Sequence, residues 1–106
     1  MSTFEVLEFA GRNHDRFVSD LKEFLAIPSV STLPEHKPDI QRAADWLLGQ
    51  MTGLGLRNVE AIPTAGHPVA YGEWLDARRK PTVLVYGHYD VQPVDPFKDW
   101  ISPPFE

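Results

Sequence analysis

Thr82-Val83-Leu84-Val85-Tyr86 runs without a break into Gly87-His88-Tyr89-Asp90-Val91-Gln92-Pro93, and the architecture turns on it. A run of β-branched, apolar and aromatic residues suits a central strand buried on both faces. In open α/β sheets, ligands bind beyond the carboxyl ends of the strands. That is where this reading places His88 and Asp90. Gly87 removes side-chain bulk, so a ligand or another loop can approach the backbone. While the chain stays extended, residues two apart point to the same side. His88 and Asp90 then face one way and Tyr89 the other.

Upstream, two shorter strands are expected. Val59-Glu60-Ala61-Ile62 alternates, Pro63-Thr64-Ala65-Gly66 is a turn, and Val69-Ala70-Tyr71-Gly72-Glu73-Trp74 returns as the second arm of a hairpin. Before them, Ile40, Ala43, Ala44, Leu47, Leu48, Met51 and Leu54 share one helical stripe. Asp39 is its expected N-cap and Gly55 its C-terminal cap. Residues 28–38, with Pro28, Pro34 and Pro38, form a loop. The N-terminal part begins with a capping box, Ser2-Thr3-Phe4-Glu5. Apolar residues at helical spacing follow from Phe4 to Leu25, interrupted at Gly11. This predicts one broken helix, or two, ending near Ala26, where Pro28 enforces the stop. The order helix, helix, strand, strand, strand indicates an α/β fold with helices packed on a mixed sheet.

Composition narrows the function. The chain has 106 residues, a net charge of −5 and no cysteine. The acidic balance argues against a nucleic-acid partner. No apolar stretch is long enough to span a membrane. Without cysteine there are no disulfides or thiolate ligands, so any metal must use His and carboxylate. A cytoplasmic location fits. No glycine-rich phosphate loop follows any strand, which disfavours nucleotide binding.

His88 and Asp90 are the candidate chemical pair. A neutral imidazole ligates zinc through one nitrogen, and its second N–H needs an acceptor. A carboxylate two residues on has the right type and spacing to supply it. H-x-D alone also occurs as a strand-end histidine beside a solvated turn aspartate. His14, His36 and His67 are expected at the surface. Asp95 and Asp99 are expected in turns, and Tyr89 and Trp100 in packing.

The longer pattern is more specific. Val83 through Pro93, followed by Trp100 and Pro103-Pro104-Phe105-Glu106, resembles the first metal-binding motif of a zinc peptidase family. That family contains carnosine-type dipeptidases, aminoacylases, acetylornithine deacetylase and succinyl-diaminopimelate desuccinylase. Ile27-Pro28-Ser29-Val30-Ser31 resembles the family's loop after its first helix, and the spacing between the two blocks also looks like the family. The likeness extends from about Phe17 to Glu106. Gln92 within G-H-Y-D-V-Q-P makes the dipeptidase subgroup the better match.

The resemblance implies that residues 1–106 are the N-terminal segment of a zinc-binding catalytic domain. It implies that His88 binds one of two Zn2+ ions, with Mn2+ or Co2+ as substitutes. It implies that Asp90 is the catalytic-site residue that orients His88. In such enzymes the ions activate a water that attacks the amide carbonyl, with a glutamate as general base. The base and the other ligands would follow Glu106, which is itself not assigned. Residues 1–106 alone are therefore expected to turn nothing over. The implied substrate of the complete protein is a small peptide or an N-acyl amino acid, and a homodimer would form through a downstream domain. A deacylase of the same family, or a non-catalytic α/β module with a relic metal site, are the competing readings.

Overall fold

A computed structural model describes residues 1–106. Helix α1 covers Thr3–Arg12 and is closed by the expected capping box. The Glu5 N–H donates to Ser2 Oγ at 3.2 Å, and the Ser2 N–H donates to Glu5 Oε2 at 2.6 Å. The break comes at Asn13, not at Gly11, which lies inside α1. Asn13 has φ −103° and ψ 9°, and its side-chain amide donates to the Phe9 carbonyl at 2.8 Å. An Asn side chain that competes for backbone partners favours such a break. Helix α2 then runs over His14–Leu25 and stops ahead of Pro28.

Helix α3 spans Lys37–Gly53. It starts earlier than Asp39, because Pro38 sits in the first turn, where its missing N–H costs nothing. Asp39 instead accepts from His36 Nδ1 at 2.8 Å and Arg42 Nη1 at 2.8 Å. The C-terminus is a Schellman cap. Gly55 holds φ +81°, its N–H donates to the Thr52 carbonyl, and the Leu56 N–H donates to Met51.

The hairpin forms as expected from β1 (Arg57–Ile62) and β2 (Val69–Glu73), paired antiparallel with Ile62 opposite Val69. The register shifts between Arg57 and Glu60, where Asn58 takes φ +50°. Helix α3 packs on both strands. Gly72 makes room for this packing, because a Cβ would lie 2.9 Å from Met51 Sδ and 3.2 Å from Leu56 Cδ2 and those side chains would have to shift.

The core is small. Ile27, Ser29, Val30, Ile40, Ala43 and Ala44 are the buried residues. The expected stripe on α3 is therefore buried only at its N-terminal half, and Leu54 is exposed. Phe24 of α2 stacks on Trp46 of α3 with centroids 4.9 Å apart.

The central strand expected at Thr82–Tyr86 does not form. Those residues pair with nothing, and Val83, Leu84, Val85 and Tyr86 are 80–89% exposed. An apolar run can pair and bury both faces only if strands lie on either side and layers cover it. Residues 1–106 provide one two-stranded sheet, and it lies elsewhere. The surface tells the same story. The chain exposes 8750 Å², whereas a compact globule of this mass would expose about 6000 Å². Its radius of gyration is 16.7 Å, against about 13 Å for a compact chain of this length. No helix is long and apolar enough to cross a membrane.

Candidate metal-ligand site

His88 does not stand at the end of a sheet strand. The segment after it is held instead by the stretch that follows α2. Val30 forms a parallel bridge to Val91. The Val91 N–H donates to the Ser29 carbonyl at 2.9 Å, and Ser29 Oγ donates to the Tyr89 carbonyl at 2.9 Å. Ser29 is 2% exposed, so its hydroxyl is satisfied through this contact. The local alternation explains the arrangement. Pro28 ends the helical path, the next residues extend, and successive side chains alternate in direction. Ser29 and Ser31 turn to the 89–91 segment while Val30 turns into the core.

His88 and Asp90 meet as their spacing suggests. His88 Nδ1–H donates to Asp90 Oδ1 at 2.8 Å and more weakly to the Asp90 carbonyl at 3.2 Å. Both acceptors are oxygens without a proton to give, so in the neutral ring the hydrogen sits on Nδ1. Nε2 then carries the free lone pair on an imidazole whose side chain is 76% exposed. Asp90 Oδ2 accepts from Ser31 Oγ at 2.6 Å. The Ser31 hydroxyl, first, and the His88 ring, second, hold the Asp90 carboxyl below the usual carboxylate range. It therefore stays ionised and remains an acceptor through neutral pH.

Tyr89 points away from this pair. Its hydroxyl donates to the Pro68 carbonyl in the loop before β2. Burial first, and the Asp90 charge second, push its phenol upward.

His67 and His36 correct their expected places at the surface. Both are half-buried and bonded. His67 Nε2–H donates to the Ser31 carbonyl at 3.0 Å, and His36, which precedes α3 without a side-chain cap bond, pairs through Nδ1 with Asp39 Oδ2 at 2.8 Å. His14 is exposed, as expected. Ser31 carried no expectation of a role. The alternation Ser29-Val30-Ser31 after a helix-stopping proline was the available signal, but a loop reading of residues 28–38 passes over it. Asp95 precedes a 3₁₀ turn at Phe97–Asp99 and Asp99 ends it, and the Trp100 indole N–H donates to the Val94 carbonyl at 2.8 Å.

No three His, Asp or Glu side chains come together as a metal cluster in residues 1–106. The arrangement fits a single contribution to a metal centre. One imidazole has its tautomer fixed by a carboxylate and its other nitrogen open.

No family profile matches the chain. It is 30% identical to a Cys-Gly metallodipeptidase of Schizosaccharomyces pombe, over 99% of this chain and 24% of that protein. It is 33% identical to the human Beta-Ala-His dipeptidase over 95% of this chain and 22% of that protein. The solved structure of the dipeptidase Dug1p from Saccharomyces cerevisiae superimposes with a TM-score of 0.87 at 27% identity, covering 98% of this chain and 24% of that one. The chain thus spans about a quarter of the length of these relatives.

Proposed function

Since the chain belongs to the metallopeptidase family of the Cys-Gly and Beta-Ala-His dipeptidases, we propose that the complete protein hydrolyses dipeptides with a bound divalent metal to which His88 contributes Nε2. The observation that supports this most directly is the 2.8 Å contact between His88 Nδ1 and Asp90 Oδ1. A metal-ligating histidine commonly gives its other N–H to a carboxylate, which fixes the ring and makes it more basic. Asp90, held ionised, is suited to that work.

A bound divalent ion supplies Lewis-acid polarisation of the amide carbonyl and acidifies water at neutral pH. This chain's share is to present one neutral imidazole at a fixed angle. Asp90 Oδ1 accepts from His88 Nδ1–H, and the Ser29 and Val91 bonds hold the backbone on either side of Asp90. A catalytic zinc site takes about three protein ligands, so residues 1–106 contribute part of one. Zinc as the ion and a homodimer complete the proposal and follow from the family resemblance; a cytoplasmic location is carried over from the sequence reading.

The test uses the complete protein. Chelation is expected to abolish hydrolysis of Cys-Gly and β-Ala-His, and zinc is expected to restore it. Cleavage of N-acyl amino acids with no cleavage of dipeptides would make it a deacylase. No hydrolysis of either class by metal-loaded protein would refute the enzyme reading and leave a relic site.

A further inference from the structure

A carboxylate that orients a histidine must itself be oriented. Asp90 Oδ1 accepts the hydrogen bond from His88 Nδ1–H, which fixes one oxygen and leaves the carboxyl plane free to swing about its own bond. A second fixed point is needed, and it comes from a residue 59 positions away. Ser31 Oγ donates to Asp90 Oδ2 at 2.6 Å. The two oxygens of Asp90 are thus tied to two different segments.

Ser31 has a firm base. Its carbonyl accepts from His67 Nε2–H at 3.0 Å, which ties it to the hairpin loop. Its neighbour Val30 is 2% exposed in the core and bridges Val91. One residue further back, Ser29 holds the Tyr89 carbonyl and the Val91 N–H. The hydroxyl of Ser31 therefore projects from a backbone pinned on three sides. Joining the segments does not require it, because the Ser29 bonds and the Val30–Val91 bridge already do so. What Ser31 adds is the aim of the Asp90 carboxyl.

We propose that Ser31 is a positioning residue for the metal centre, acting through Asp90 to set the angle and basicity of His88. This rests on His88 being a ligand. Outer partners of metal ligands typically matter about 10- to 100-fold in metal affinity. Ser31 stands one contact further out, so the lower end of that range is expected.

The probe is zinc, titrated into the complete apoprotein against a chromophoric chelator. The affinity of the His88 site is the part lost in His88→Ala. In Ser31→Ala that affinity is expected to fall about tenfold, and in Ser31→Thr, which keeps the hydroxyl, to stay near the parent value. Against an Asp90→Ala background, Ser31→Ala is expected to change nothing more, since its route to the metal is gone. Parent-like zinc affinity in Ser31→Ala would overturn the inference. So would an equal loss in Ser31→Thr, or losses in Ser31→Ala and Asp90→Ala that simply add. If His88→Ala leaves zinc binding unchanged, what fails is the ligand assignment of His88 itself.

Discussion

His88→Ala in the complete protein is expected to lower kcat/KM by more than about a hundredfold, beyond the 10- to 100-fold range seen for outer partners of a metal ligand. The ring offers one exposed lone pair, at Nε2, and alanine leaves nothing in its place. Asp90→Ala should fall inside that range, because the imidazole remains but its tautomer and angle are no longer held. The ordering is the informative part. Steady-state kinetics with Cys-Gly, together with metal content by elemental analysis, would check it. A His88→Ala protein with parent-like activity and metal content would remove His88 from the site. A loss in Asp90→Ala that equals or exceeds the loss in His88→Ala would mean that Asp90 does more than orient the ring.

Ile40→Ala is expected to cost about 2–5 kcal/mol, the usual range for removing a large side chain from a packed core. Ile40 is 1% exposed and, with Val30, is one of the two largest fully buried side chains. Ile27 and Val30 share the core with it, and they bracket Ser29, whose bonds hold the segment after His88. The same substitution is therefore expected to loosen the site as well as the fold. Denaturant unfolding of the complete protein, read from the shift in midpoint at constant slope, would measure it. A cost under about 1 kcal/mol would place Ile40 outside the working core.

Legibility differed by residue. Ser2 and Glu5, Gly55 and the hairpin of β1 and β2 were readable because each depends on neighbours within a few positions. Asn13 was missed as the break because Gly11 is the stronger local breaker on propensity, and only the side-chain bond to Phe9 tips the outcome. The His88–Asp90 contact was legible for the same local reason, since the two lie two residues apart. Their functional roles are a proposal that the contact supports. Ser31 and His67 were not legible. Each acts through a partner 36 to 59 positions away, and nothing in a serine or a histidine announces such a partner.

The amino-acid order by itself set the three helices, their stops at Pro28 and Gly55, the hairpin and the pairing of His88 with Asp90. These follow from backbone sterics, capping and side-chain periodicity, which act over a few residues. The tertiary structure alone decided that Thr82–Tyr86 stands unpaired and that residues 29–31 clamp 89–91. A strand exists only if another edge meets it, and a hydroxyl finds a distant carboxylate only once the core has brought both segments together.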